Sequence, residues 1–549
     1  MFVLSFLAAA AAVAALQQTS STAHTAAPSV TIPDGTVTGS RNNSIDTFLG
    51  IPYAEPPIGP LRLRPPVPLS TPFGAFNATL QPKSCPQLLM DVDPNMFALV
   101  PPDQQAMISS FFSSPAPDQM SEDCLTLNIY GGGFQVGSTT SNDWSGIVSY
   151  STAIGHPILV VSLNYRVSSF GFLGGKELQA DGSTNLGLRD QRLALEWVSQ
   201  NIAAFGGDPE RVTIWGESAG AISVALHTAL NNGNHTSQNT GRPLFRGAIM
   251  NSGSGNPSLP IDSAPAQDVY DMVVANSGCA ANATDTVACL RSVPYETLQI
   301  ASNTVPSLLS RNGLAINHWP RPDPSDPSFS VSPAQSFLSG KFARDDEGTL
   351  FALALLNSTA QAQLVSALKS GVLHGAPTRL IREFVSLYST NATCGSPFDT
   401  GNNGEVYPDY KRNAAVAGDV AFIFQSRSYL SAISRHLPDI WSYDAAYTKG
   451  SVLGTFHGSD LVLLGSGAPR IAYQEVLDRH ISFVYYSDPN TLTKNNNNSS
   501  MDGSVAWPRW TDAKREMMQF NNGGVRVIKD DFREAAYGYF RRVWGLLTI

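Results

Sequence analysis

A serine flanked by very small residues follows an apolar, β-branched run in the middle of the chain. The run at 211–215 leads into GESAG at 216–220, which fits the pattern G-x-S-x-G. This pattern predicts a strand, a sharp turn with Ser218 at its tip, and a helix that begins at Ala219. Such a turn exposes the serine hydroxyl and directs the Ala219 amide towards a developing oxyanion. Ser218 is therefore a candidate nucleophile for acyl transfer, although the same pattern also occurs in tight turns without catalysis.

A nucleophilic serine needs a base, and on a strand–turn–helix of this type the chain order is serine, acid, histidine. Of the nine histidines, His457 is the favoured base because it lies in a Gly- and Ser-containing stretch near the end of the chain. His227 and His235 follow Ser218 too closely to leave an acid between. The remaining alternatives downstream are His318, His374, His436 and His480.

The candidate acid lies in a compact acidic turn, DDEGT at 345–349, between Ser218 and His457. Its position in the chain fits a carboxylate that orients the histidine. The pattern does not choose among the carboxylates of Asp345, Asp346 and Glu347. The alternative is that the turn is a solvated surface loop.

Three glycines supply the candidate oxyanion site. Gly131, Gly132 and Gly133 follow the apolar stretch 125–130, so a strand is expected to run into a loop whose bare backbone presents amides to a substrate oxygen. A flexible turn is the alternative. Placement after a strand and before the nucleophile favours the oxyanion interpretation.

The elements around these residues alternate between strands and helices. Strands are predicted at 157–165, 212–215 and 244–253, and an amphipathic helix at 186–205. This order predicts an α/β fold with a mostly parallel sheet covered by helices on both faces.

Bulk properties indicate an extracellular protein that does not bind nucleic acid. The formal net charge is −9, which disfavours a polyanionic partner. Residues 1–15 form an apolar, Ala-rich run typical of a signal peptide, and no later segment is long and apolar enough to be a membrane span. Candidate glycosylation sequons are at Asn42, Asn77, Asn234, Asn282, Asn357, Asn391, Asn497 and Asn498.

Together these motifs resemble the type-B carboxylesterase/lipase family. The resemblance covers nearly all of the mature chain and implies an α/β-hydrolase fold with large insertions in a single domain over 28–549. It implies no metal or organic cofactor and a small-molecule or lipid ester as substrate. The matching segments are FLGIPYAEPP at 48–57, SEDCL at 121–125, GGGF at 131–134, NYR at 164–166, the serine turn, DEGT at 346–349 and GTFH at 454–457.

The resemblance also assigns roles. It makes Ser218 the nucleophile, His457 the general base and Glu347 the acid. It implies a buried ion pair between Arg62 and Glu122. The oxyanion donors it implies are the amides of Gly132, Gly133 and Ala219, and the disulfides are Cys85–Cys124 and Cys279–Cys289, which leaves Cys394 over.

The chain departs from the family pattern at two junctions. Only residues 125–130 separate the SEDCL motif from the glycines, where the family has two strands joined by a polar turn. Residues 340–346 contain no apolar run, although the acid normally follows a buried strand. Both losses would remove strands of the central sheet. Either the gene model skipped coding sequence, which we favour, or the protein is a real shortened chain with an altered sheet.

Three functional hypotheses follow. The first is a secreted serine hydrolase of carboxylic esters. The second is a cholinesterase-like binding protein in which the lost strands misplace the catalytic groups. The third is an interfacially activated lipase in which the apolar segment 88–119 is a flap.

Overall fold

The structure is a computed structural model. It describes residues 26–42, 45–90, 105, 120, 126–127, 129–280, 284–310, 313–331, 358–394, 400–446, 453–460, 470–492, 505–521 and 523–548. Among these residues, no helix has the length and apolar character needed to cross a membrane.

Short strands occur throughout the chain. They are β1 (Ser29–Ile32), β2 (Gly35–Thr38), β3 (Ser40–Asn42), β4 (Ile45–Thr47), β5 (Gly74–Asn77), β6 (Thr126–Leu127), β7 (Leu163–Asn164), β8 (Thr213–Glu217), β9 (Gly247–Asn251), β10 (Leu309–Ser310), β11 (Gly313–Leu314), β12 (Tyr443–Ala445), β13 (Glu516–Asn521) and β14 (Gly524–Lys529).

Helices separate most of these strands. They are α1 (Ser145–Ala153), α2 (Ser168–Gly171), α3 (Lys176–Asp181), α4 (Leu186–Asn201), α5 (Ala219–Ala229), α6 (Ala264–Asn276), α7 (Thr286–Ser292), α8 (Tyr295–Ser302), α9 (Gln361–Gly371), α10 (Thr378–Val385), α11 (Tyr410–Gly418), α12 (Phe424–Ile433), α13 (Arg470–Tyr486) and α14 (Glu534–Val543). Short 3₁₀ turns are at Gly59–Leu61, Ile202–Phe205, Leu230–Gly233, Ala392–Cys394 and Trp544–Leu546, and a π turn at Asp419–Ile423 joins α11 to α12.

The centre of the fold is the parallel pair β8 and β9. The register places Thr213 opposite Gly247 and Glu217 opposite Asn251. Helix α5 packs on both strands, and its residues from Ala219 to His227 are all buried. This is the strand–turn–helix predicted around Ser218, and the predicted helix at 186–205 corresponds to α4 with its 3₁₀ extension.

One predicted strand is mostly wrong. Residues 157–162 form no strand, and only Leu163 and Asn164 pair, antiparallel, with β6. None of residues 157–162 is buried, and Leu159 is 44% exposed. An isolated strand has no hydrogen-bonding partner to stabilise it, and within the described residues this segment lies beside a groove of about 930 Å³.

The sheet is divided on the other side of the centre as well. In the described part of the chain, β8 and β9 form one sheet, whereas β12, β13 and β14 form another. A cavity of about 90 Å³ lies between them, lined by Ala248 and Ile249 of β9 and by Trp441 and Tyr443 at β12. The segment that precedes Glu347 lies outside the described residues.

Candidate active site

Ser218 lies at the tip of the turn between β8 and α5 with φ 55° and ψ −122°. A positive φ is strained for a residue with a Cβ atom, so surrounding bonds must hold it. The Ser218 amide donates to the carbonyl of Asn251 at 2.9 Å, and the Ser218 carbonyl accepts from the Ile222 amide at 3.0 Å. The strand β9 and the first turn of α5 therefore fix the backbone of the serine.

Two glycines allow the strand and helix to approach closely enough for this turn. A Cβ atom on Gly216 would collide with the backbone of Gly220, and one on Gly220 would collide with the carbonyl oxygen of Ile129. Backbone atoms cannot rotate out of the way as a side chain can. Both positions therefore require glycine because a Cβ atom has no space there.

His457 faces the serine. Its Nε2 atom lies 2.7 Å from Ser218 Oγ, and the residue is only 6% exposed. When the serine hydroxyl donates in this bond, Nε2 is the acceptor and the ring proton is on Nδ1. The Glu217 carboxylate is also near, with Oε1 at 3.5 Å from Nε2, so the pair lies beside a negative charge.

The glycine loop borders the same site. Gly132 has φ 103° and Gly133 has φ 64°, and the Gly132 carbonyl accepts from the amides of Gln135 and Val136 at 3.0 and 3.1 Å. Gly132, Gly133, Ser218 and His457 line one cavity of about 40 Å³. The Ala219 amide belongs to the first turn of α5, where helix amides have no partner within the helix. Five of the predicted site residues are thus brought together.

The predicted acid is not among the described residues. Glu347 and its neighbours Asp345 and Asp346 all lie outside them. The assignment of Glu347 therefore stays a prediction.

The profile of the Carboxylesterase family matches residues 26–539. The chain belongs to the carboxylesterase family. It is a carboxylic ester hydrolase. Two relatives cover nearly the whole chain: the secreted triacylglycerol lipase LIP1 of Gibberella zeae is 40% identical over 95% of this chain and 91% of its own length, and the secreted lipase 1 of Botryotinia fuckeliana is 41% identical over 94% and 92%.

The crystal structure of Aspergillus niger EstA has the same fold. It superposes with a TM-score of 0.74 at 22% identity over 96% of this carboxylesterase-family chain and all of the EstA chain. This likeness concerns the α/β-hydrolase fold and not the order of every strand.

Beside Ser218 this carboxylesterase-family chain has a second cavity of about 40 Å³. Its lining is almost wholly apolar, which suits a hydrocarbon chain and excludes a charged group. Ser218 and Ala219 are among its lining residues, so a hydrocarbon chain bound there would lie against the serine. The other lining residues are Gly133, Ile222, Asn256, Leu308, Ile316, Trp319, Leu368, Val372, Ala417, Val420, Ala421 and Phe422.

A buried polar network behind the site was missed by the sequence analysis. Asp460 Oδ2 accepts from Asn251 Nδ2 at 2.7 Å and from the Tyr443 hydroxyl at 2.8 Å. Asn251 Oδ1 in turn accepts from Trp215 Nε1 at 2.9 Å. The network therefore ties the loop that carries His457 to β8 and β9. Its one signal in the sequence is Asp460, three residues after the histidine.

Two of the other downstream histidines, His318 and His480, are poorly placed to act as the base. Burial lowers the pKa of His318 to about 3, with Arg321 adding to the effect, and burial lowers the pKa of His480 to about 4. His318 Nε2 lies 3.0 Å from the hydroxyl of Ser169, and His480 Nδ1 lies 2.8 Å from the Val476 carbonyl. These are packed core residues.

The structure describes only some of the remaining predicted residues. Cys279 and Cys289 form a disulfide, and Cys85 is disulfide-bonded, but its predicted partner Cys124 lies outside the described residues. Arg62 is buried, and Glu122 also lies outside them. The described sequons Asn42, Asn77, Asn234 and Asn391 are exposed, and Asn282, Asn357, Asn497 and Asn498 are not described.

Proposed function

We propose that this protein hydrolyses carboxylic esters through an acyl-enzyme formed on Ser218. The observation that carries the proposal is the 2.7 Å contact between Ser218 Oγ and His457 Nε2, beside an apolar cavity that Ser218 lines. A serine hydroxyl is a weak nucleophile while it keeps its proton. A hydrogen-bonded imidazole can remove that proton as the oxygen attacks.

In the first half-reaction Ser218 Oγ attacks the ester carbonyl while its proton passes to His457 Nε2. The carbonyl oxygen becomes an oxyanion, for which the amides of Gly132, Gly133 and Ala219 are the proposed donors. The imidazolium then returns the proton to the departing alcohol oxygen, the carbon–oxygen bond breaks, and the acyl group stays on the serine. In the second half-reaction, water attacks the acyl-enzyme by the same steps, and the carboxylic acid is released.

Glu347 is the proposed acid, which accepts a bond from Nδ1–H of His457 and keeps its tautomer correct. The support is its place between Ser218 and His457 in the chain and the family to which the chain belongs. In separate variants Asp345→Asn, Asp346→Asn and Glu347→Gln, only Glu347→Gln should lower kcat by about 10⁴-fold. Loss of kcat in another variant would reassign the acid.

The proposed substrate is an ester with an apolar acyl group, from a small molecule or a lipid. The apolar cavity beside Ser218 supports this, and relatives are named lipases. Interfacial activation is tested by measuring initial rates across the solubility limit of a short-chain triglyceride. A jump in rate at that limit favours a lipase, and a smooth saturation curve favours an esterase.

We also propose that residues 1–15 are a signal peptide and that 28–549 form one domain that is secreted and glycosylated. The profile match over 26–539, the names of the relatives and the exposed sequons support this. Recovery of the protein from the medium of a secreting host, with a mass that falls on enzymatic deglycosylation, is the expected result.

Finally, we propose that the sequence lacks two sheet segments that its relatives carry, near Asn128 and Arg344. The alignment with the Gibberella zeae protein runs over 554 positions but takes in 95% of the 549 residues here, so roughly 30 positions of the relative have no counterpart. Sequencing of the transcript across both junctions decides the matter, because added apolar codons would restore two strands and an uninterrupted match would exclude them.

The direct test of the catalytic proposal is reaction with a fluorophosphonate, which modifies activated serines. A single adduct on the peptide that contains Ser218, absent in Ser218→Ala, is expected. Soluble, folded protein without an adduct would instead favour a binding protein.

A further inference from the structure

The ring of Phe422 lies flat against the imidazole of His457. Their ring centroids are 4.4 Å apart and their planes differ by 24°. Phe422 is only 5% exposed, and it also lines the apolar cavity that Ser218 lines. The Phe422 ring therefore packs against the proposed base and also lines the cavity proposed to hold the acyl group.

The backbone that carries this ring is a π turn, Asp419–Ile423, inserted between α11 and α12. In an α-helix three consecutive side chains spread over about 200° of the helix surface and so point in widely different directions. Here Val420, Ala421 and Phe422 all line the apolar cavity. The wider π turn brings the directions of these side chains closer together, and π-helices, which are rare, occur frequently at functional sites.

The π turn is held from two sides. The buried Asp419 carboxylate accepts from Arg533 Nε and Nη2 at 2.6 and 2.7 Å and from the Tyr388 hydroxyl at 2.6 Å. The Ala421 carbonyl accepts from Asn256 Nδ2 at 3.1 Å. These bonds leave Phe422 little freedom to turn away from the histidine.

We propose that Phe422 is a positioning residue for His457, and this rests on the proposed function of the Ser218–His457 pair. The stacked ring fixes the plane of the imidazole so that Nε2 stays directed at Ser218 Oγ. When the histidine takes the serine proton, the negative face of the aromatic ring lies against the new positive charge and favours it. Phe422 thus acts on the proton-transfer step through His457, independently of the acyl length.

The experiment compares Phe422→Leu and Phe422→Met, which remove the ring, with Phe422→Tyr, which keeps it. The matched control is Phe245→Leu, because Phe245 is 6% exposed and stacks on His235, away from the site, at 4.5 Å and 20°. Each variant is assayed with an acetate ester, too short to fill the cavity, and by its rate of inactivation with a small dialkyl fluorophosphate.

Removal of the ring should lower kcat for the acetate ester about 10- to 100-fold with KM changed less than about threefold, and should slow inactivation by a similar factor. Phe422→Tyr should restore both rates to within about threefold of the parent, and Phe245→Leu should change neither.

Two results would overturn the proposal: unchanged acetate turnover and inactivation in both ringless variants, or a Phe422→Tyr variant as slow as they are. Two ringless variants are used so that a folding defect in one leaves the other to decide. Failure of the parent chain to react at Ser218 would be a different result, because it removes the proposed function itself and this inference with it.

Discussion

Two apolar segments near strand β8 have very different structures. Strand β9 (Gly247–Asn251) is buried at every residue and pairs in parallel with β8 along its whole length. Residues 157–162 are at least as rich in strand-forming residues, yet they form no strand, and none is buried. The difference shows that strand propensity takes effect only where a neighbouring strand offers its backbone.

The two sides of the site are also held by different contacts. On the β9 side, Asn251 holds the Ser218 amide and, through Asp460, the loop of His457. On the other side, β6 and β7 pair over two residues each, and the loop with Gly132 and Gly133 follows shortly after β6. We therefore expect truncation of a buried side chain in β9 to have a larger effect than truncation of a side chain in residues 157–162.

The largest effect is expected at Gly220. Gly220→Ala places a Cβ atom against the Ile129 carbonyl and 3.0 Å from that of Tyr130, at the start of α5. We expect a loss of more than about 4 kcal/mol in the free energy of unfolding, together with loss of fluorophosphonate labelling.

The matched control is Gly538→Ala in α14, where nothing lies within 4 Å of the added atom. It should stabilise the protein by about 0.5–1 kcal/mol, because alanine favours a helix. Similar melting curves for the two variants would show that the space between Gly220 and the Ile129 carbonyl can hold a Cβ atom.

The second prediction compares the two segments directly. Ile249, 3% exposed in β9, and Leu159, 44% exposed, are each changed to alanine. Ile249→Ala should cost about 2–5 kcal/mol through lost burial and a cavity, and Leu159→Ala less than about 0.5 kcal/mol. Urea unfolding monitored by tryptophan fluorescence measures both, and equal losses would mean that 157–162 is packed as a strand.

The third prediction concerns the link between β9 and the His457 loop. Asp460→Ala removes the acceptor that Asn251 and Tyr443 share, and should cost about 1–3 kcal/mol in stability and lower kcat. Asp460→Asn keeps one acceptor oxygen and should lose less. Unchanged kcat in a destabilised Asp460→Ala variant would show that the network does not position the histidine.

The last prediction concerns the pH dependence of stability, an effect that makes no contribution at pH 7. Burial, with a contribution from Arg192, lowers the pKa of His227 in α5 from its ordinary value of 6.5 to about 3. Between these values the unfolded chain binds a proton that the folded chain does not. The stability from this residue is therefore complete above pH 6.5 and is lost as the pH falls towards 3.

Replacement by glutamine removes this proton uptake. In His227→Gln the free energy of unfolding should fall less steeply between pH 6 and 4, by up to about 1.4 kcal/mol per pH unit. Urea titrations at pH 7, 6, 5 and 4 measure the slope. A slope identical to that of the parent would mean that His227 is protonated in the folded state.

The sequence was sufficient where structure is determined locally. The turn at Ser218, helix α4 and the loop of His457 follow from glycine spacing, apolar periodicity and chain order. Residues 157–162 could not be placed, because their conformation depends on a strand elsewhere in the chain. Phe422 and Asn251 could not be found either, since a π turn and a long-range hydrogen bond leave no periodic signal.

The central claim is that Ser218 and His457 act as one unit, and a double-mutant cycle tests it most directly. Ester hydrolysis is measured for Ser218→Ala, His457→Ala and the double variant. Each single change should lower kcat by roughly 10⁶-fold, and the double variant should lose no more than either, because a nucleophile without its base is already inactive. Losses that multiply in the double variant would contradict the account, because the two residues would then contribute independently.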